Sequence, residues 1–290
     1  MSGKTLLNNK VKETVAKTVF MIAACLSIAA VLIICLFLFV NAVPAIAKTG
    51  AGRFFFGTLW RPSNGEFGIL PMILGSIYVT AGALVIGVPA GVFTSIYFSR
   101  FASKRVLRIF SPLVDILAGI PSVVYGFFGL VVLVPGIRTL FGGTGSSMLA
   151  ASVLLGVMIL PTIISVSTAA LNAAPSSYYE GAVGLGACHE QAVFFTIVPA
   201  AKSGITAGIS LGIGRAIGET MAVIMVAGNQ ARMPAGLLKG VRTLTANIVI
   251  EMGYAAELHR EVLIATGAVL FVFILIINFL FSLVKGRSKL

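Results

Sequence analysis

Gly204-Ile205-Thr206-Ala207-Gly208-Ile209-Ser210-Leu211-Gly212-Ile213-Gly214-Arg215-Ala216-Ile217-Gly218-Glu219-Thr220-Met221-Ala222-Val223-Ile224-Met225-Val226-Ala227 is long and apolar enough to cross a bilayer. It nevertheless carries two charges, Arg215 and Glu219. Each charge at the centre of a hydrocarbon slab costs about 2.5–3.5 kcal/mol on insertion scales. Such residues face a protein interior or a wet pathway, where they pair or meet a polar ligand. Spacing i to i+4 places both on one helical face, with Arg before Glu the weaker orientation for a helix pair. Three readings stay open: a buried structural ion pair, a site touching a polar substrate, or a gate whose charges exchange partners. Gly204, Gly208 and Gly212 form a small-residue series, and Gly214 and Gly218 flank the charges. That series serves close approach of a second helix or a direct role in passage.

The rest of the chain agrees with a membrane setting. Its 290 residues are 58% hydrophobic and 10% charged, with mean hydropathy +1.05. A soluble domain carries about 25% charged residues. Six apolar spans emerge: Val19–Val40, Ile69–Tyr97, Phe110–Val134, Met148–Leu171, Gly204–Ala227 and Val262–Val284. The expected class is an all-α integral membrane protein with six transmembrane helices. A cytoplasmic segment 1–18 precedes a single polytopic domain 19–290. The first apolar run is too long for a secretory signal core of about 7–15 residues, which predicts an uncleaved span.

Net charge +12 does not point to nucleic acid, because the basic residues cluster beside the apolar segments. The short 99–109 loop carries Arg100, Lys104, Arg105 and Arg108, which places it and both termini inside. Pro121 and Pro161 are expected to bend or interrupt their helices. Asp115, the remaining acid within a span, is expected near a helix N-terminus. The outer loop 229–261 mixes Leu237, Leu238, Leu244 and Ile248 with charges, which suits short interfacial helices. Cys25, Cys35 and Cys188 have no disulfide or zinc spacing. His189-Glu190 begins like a zinc-protease motif, but Val193 stands where its second His belongs.

The inner loop 172–203 is patterned. Tyr179-Glu180-Gly181-Ala182-Val183-Gly184-Leu185-Gly186-Ala187 leads to Thr196-Ile197-Val198-Pro199. Glu180, Ala182, Leu185 and Ala187 suit a helix that Gly184 and Gly186 interrupt, and Pro199 opposes its continuation. Two short helices joined at a glycine turn are predicted. The spacing resembles the cytoplasmic loop of ABC importer permeases, with Glu180, Ala182, Gly186 and Pro199 in register. Gly181, Thr196 and Val198 depart mildly from it. Ile120-Pro121-Ser122-Val123-Val124-Tyr125-Gly126-Phe127-Phe128-Gly129-Leu130 and Gly214-Arg215-Ala216-Ile217-Gly218-Glu219-Thr220-Met221-Ala222-Val223 are similar to the phosphate-specific permeases. Met221-Ala222-Val223 and Gly228-Asn229 favour their PstC-type subunit.

The resemblance implies a type I ABC importer permease fold and translocation of inorganic phosphate by alternating access. It implies that Glu180, Ala182, Gly184, Gly186 and Pro199 belong to the loop that docks on an ATPase. It also implies a second, PstA-type permease, two ATPase subunits holding ATP and Mg, and a periplasmic or surface-tethered phosphate-binding protein. The chain itself has no Gly-x-x-x-x-Gly-Lys-Ser/Thr loop, so hydrolysis is expected on the partner, with no cofactor or metal here. The rivals are an importer of molybdate, sulfate or phosphonate, a secondary transporter driven by an ion gradient, and a membrane enzyme.

Overall fold

A computed structural model describes residues 2–286, with side chains from 13 to 280. The side chains of Lys4, Lys10, Lys12 and Lys285, and all of Arg287 and Lys289, lie outside the described residues. Helix α1 (Ser2–Thr49) is followed by α2 (Ala51–Phe56) and a hairpin of β1 (Trp60–Arg61) and β2 (Glu66–Phe67). Then come α3 (Leu70–Ile96), α4 (Lys104–Gly119), α5 (Ser122–Phe128), α6 (Val134–Phe141) and α7 (Met148–Asn172). The inner hairpin holds α8 (Ser176–Gly184), α9 (His189–Ala192) and α10 (Val198–Ala200). Helices α11 (Lys202–Gly218), α12 (Met221–Val226), α13 (Leu244–Met252) and α14 (Glu257–Gly286) complete the chain. Single π-helical turns occupy Tyr97–Phe101, Gly129–Leu133 and Val193–Ile197.

Among the described residues, five helical stretches are long and apolar enough to cross a membrane. His189–Ala200 with Lys202–Gly218 makes a sixth if that pair, bent by 67°, is one span. Large apolar side chains such as Phe20, Leu26, Ile33 and Leu36 of α1 are exposed along its length, as lipid contact requires. Helix α3 packs on α7, α11 lies along α7, and α1 runs beside α14. The central core joins Val79 and Ala83 to Leu155, Ile159, Ile163, Ala216, Ala222 and Val226. A second cluster fills one end of the bundle, between α1, the hairpin and α14. A third, around Ile96, Leu171, Val193 and Ile197, fills the opposite end.

The glycine series in α11 faces α7. A Cβ at Gly204 would meet Ala170, at Gly208 it would meet Ser167, and at Gly212 it would meet Ile163. Helix packing therefore accounts for these three, whereas Gly214 and Gly218 face open space.

One predicted span breaks at Pro121, where an interruption was expected, and a second breaks where none was expected. The stretch Phe110–Val134 is not one helix: α4 stops at Gly119, and α5 starts after extended Ile120 and Pro121. Proline has no N–H to continue the ladder, and it pushes the preceding residue out of the helical region. The stretch Gly204–Ala227 is also broken, because α11 ends at Gly218 and Glu219 is extended at φ −68, ψ 132. Pro161, by contrast, sits inside an uninterrupted α7. Asp115 lies toward the C-terminal end of α4 and is exposed, so the helix N-terminus expected to favour it is not there.

Candidate functional site

The two breaks are finished by side chains. At the first, the Tyr125 hydroxyl donates to the Leu117 carbonyl at 2.9 Å. At the second, Glu219 Oε1 accepts from the backbone N–H groups of Thr220 at 3.1 Å and Ala222 at 3.2 Å. Thr220 Oγ1 donates to the Gly218 carbonyl at 3.2 Å, and Thr245 Oγ1 donates to the Glu219 carbonyl at 3.0 Å. A broken helix inside a membrane frees backbone groups that must find protein or water, and here these partners meet that need. The helices beyond the breaks pack together. A Cβ on Gly126 of α5 would run into Ala222 and Met225 of α12.

This geometry removes the reading of Arg215 and Glu219 as an i, i+4 pair on one helical face. The helix ends between them, and Glu219 carries the N–H groups that open α12. Arg215 is half-buried, and its NH1 donates to Thr162 Oγ1 of α7 at 3.3 Å. Among the described residues no carboxylate stands within ion-pair distance of it. A guanidinium has five N–H donors in a planar fork, so four remain for a ligand or water. The arrangement is an unneutralised cation in the wall of an apolar bundle, at the level where a helix breaks.

The inner hairpin forms as its sequence predicts, and Gly186 is the reason. Its φ is +93, a region L side chains rarely adopt. Its N–H donates to the Val183 carbonyl at 2.9 Å, and the Ala187 N–H donates to Ala182 at 3.1 Å. That pair of bonds is a Schellman ending, which satisfies the last carbonyls of α8. Glu180, Gly184 and Gly186 are exposed, and Ala182 is half-buried. Leu185, at the tip, is 93% exposed, an apolar knob left uncovered by the described residues. Pro199 is also exposed, but it does not stop the helix. The π turn at Val193–Ile197 shifts the ladder ahead of it, and the chain bends two residues later, after Ala201.

A buried polar cluster at the opposite end was not legible in the sequence. Glu251 is 5% exposed. Its Oε1 accepts from Arg242 NH1 at 2.6 Å. Its Oε2 accepts from Trp60 Nε1 at 2.8 Å and from His259 Nε2 at 2.9 Å. Arg242 also donates to the Asn229 carbonyl and to Asn247 Oδ1, each at 3.0 Å. Burial, and then the Glu251 carboxylate, hold the nearby Tyr254 phenol above its ordinary value. The same loop caps α7: the Lys239 and Leu237 carbonyls accept from the N–H groups of Met148 and Leu149 at 2.9 and 2.8 Å. One short helix, α13, stands where interfacial helices were expected. Among the described residues there is no group of three His, Cys, Asp or Glu arranged for a metal.

Residues 87–289 match the family model described as binding-protein-dependent transport system inner membrane component. This chain belongs to that family. It is 37% identical over 286 residues to the probable ABC transporter permease protein YqgH of Bacillus subtilis, covering 95% of this chain and 93% of the relative. It is 34% identical over 234 residues to the phosphate transport system permease protein PstC of Mesorhizobium japonicum, covering 73% and 72%. Against the protein of the same name from Haemophilus influenzae the identity is 31% over 290 residues, covering 93% and 90%. The inward-facing MetNI methionine ABC transporter superposes with TM-score 0.57 at 23% identity, over 77% of this chain and 95% of that one. The chain is a multi-pass inner membrane permease of an ABC importer, with the type I permease fold expected from its loop and spans.

Proposed function

We propose that this permease conducts inorganic phosphate inward, with Arg215 as the group that meets the anion. The observation that carries the reading is the unneutralised guanidinium of Arg215 at the α11–α12 break. The names of the 31–34% identical relatives support phosphate as the anion. An Arg fork can give phosphate two parallel charge-assisted hydrogen bonds. Among the described residues Glu219 Oε2 has no hydrogen-bond partner, while Oε1 caps α12. An ionised carboxylate there accepts a hydrogen bond from the P–OH of HPO4 and finds no such donor on sulfate, which gives a basis for discrimination.

Glu180, Ala182, Gly184, Gly186 and Pro199 are assigned to the face that docks on an ATPase, with Leu185 as its apolar knob. A PstA-type second permease, two ATPase subunits carrying ATP and Mg, and a phosphate-binding protein complete the assembly. Closure of the ATPases on ATP pulls the hairpin and switches the spans between inward- and outward-facing arrangements. Both termini, and segment 1–18, lie in the cytoplasm.

YqgH, at 37% identity, is named without a substrate, which keeps another oxyanion as the second reading. Competition decides between them. Labelled phosphate uptake that excess phosphate abolishes and excess molybdate, sulfate or phosphonate leaves intact is the expected result. Stronger competition by one of those three overturns phosphate.

A further inference from the structure

We infer that His189 is the positioning residue that carries movement of the inner hairpin to the feet of α3 and α7. The inference rests on the reading that this hairpin meets an ATPase. His189 opens α9 at the base of the hairpin, and both of its ring nitrogens are engaged. Nε2 lies 3.1 Å from the Arg100 carbonyl, and Nδ1 lies 2.9 Å from the Tyr179 hydroxyl. A carbonyl only accepts, so Nε2 carries a proton and donates it. In the neutral ring that leaves the Nδ1 lone pair for the Tyr179 O–H, and one tautomer satisfies both contacts.

Each end of this bridge lies on a different moving part. Tyr179 precedes Glu180 in α8, the helix assigned to the ATPase. Arg100 belongs to the π turn that ends α3, and its NH2 donates to the Leu171 carbonyl of α7 at 2.6 Å. Beside it, Ser99 Oγ donates to Asn172 Oδ1 at 2.6 Å. Tyr179, His189, Arg100 and Leu171 thus form one chain of short polar contacts from the hairpin to two spans.

The neighbouring apolar contacts do a different job. Ile96, Leu171, Val193 and Ile197 hold the surfaces together. Apolar contact is non-directional and lets packed surfaces slide. The His189 hydrogen bonds have direction and fix register. Edge-on packing against Phe101, with ring centroids 4.9 Å apart, keeps the imidazole in place.

His189→Phe keeps a ring in that slot and removes both hydrogen bonds. The test uses inverted membrane vesicles containing the whole assembly and measures ATP-driven phosphate transport and ATP hydrolysis on the same sample. The variant is expected to assemble at the native level and keep hydrolysing ATP. Its phosphate moved per ATP should fall about fivefold or more, the lower end of usual coupling effects. His189→Gln, which restores an N–H toward Arg100, should recover part of the ratio. Tyr179→Phe should lower it, and the double variant with His189→Phe should be no worse than the worse single, as members of one chain behave. An unchanged ratio, or a proportional fall in transport and hydrolysis together, overturns the inference. Wild-type vesicles with no ATP-dependent transport would overturn the underlying reading, and this inference with it.

Discussion

Arg215 and Gly186 are the two residues whose roles depend most on backbone detail. The sequence showed Arg215 as a costly charge with Glu219 one turn away. It could not show that the turn is missing, because a Gly-Glu-Thr step inside an apolar run keeps the helical period intact on paper. The extended Glu219 turns a supposed partner into the cap of the next helix. Glu219→Gln keeps an oxygen for that cap and removes the second hydrogen-bond acceptor. It is expected to assemble normally and to transport phosphate more slowly, measured as initial uptake. A native rate counts against the hydrogen-bond-accepting role.

Gly186 was legible because glycine at that spacing has a conformational meaning, and φ +93 supplies it. No atom crowds the position, so a side chain there fails through backbone strain of about 1–2 kcal/mol. Gly186→Asp should therefore leave the spans intact and disrupt docking, so that uptake falls and ATPase co-purification weakens. Native uptake with native ATPase binding rejects this.

At the scale of elements, the sequence located membrane segments well and their interruptions poorly. Glu219-Thr220 vanishes in a window long enough to find a span, because Ile213, Ile217, Met221 and Val223 flank it. Pro121 was a usable signal, while Pro161 gave the same signal inside a continuous helix. What separates them is packing. Pro161 is buried within α7, whereas Pro121 is exposed, and beyond it Tyr125 meets a free carbonyl.

The glycine series makes a contrast that can be measured. Gly208→Leu forces a side chain into Ser167 and Val166 and should cost about 1–3 kcal/mol as overpacking, seen as a lower unfolding temperature. Gly214→Ala meets nothing within 4 Å and should leave that temperature unchanged. Equal effects at the two positions contradict the packing assigned to α11 and α7.

Across the whole molecule, polar chemistry sits in three tiers: the inner hairpin, the two mid-bundle breaks and the outer cluster. The outer tier escaped the sequence because its members are scattered. Trp60 and Glu251 are 191 residues apart. Glu251 in the otherwise apolar turn Ile248-Val249-Ile250 was the one available hint. A buried carboxylate stripped of its cation costs about 3–5 kcal/mol. Arg242→Met should therefore lower the unfolding temperature, and His259→Phe should lower it less, since Arg242 still pairs with Glu251. Reversed ranking contradicts the assignment of Arg242 as the main counter-charge.

Passage of phosphate past Arg215 is the proposed step on which transport by this permease turns. It is tested most directly by ATP-driven uptake of labelled phosphate into vesicles holding equal amounts of assembly with Arg215 or Arg215→Gln. Loss of one charge-assisted contact of about 1.5–3 kcal/mol predicts that the variant's uptake falls about tenfold or more. Equal uptake by the two would contradict the account.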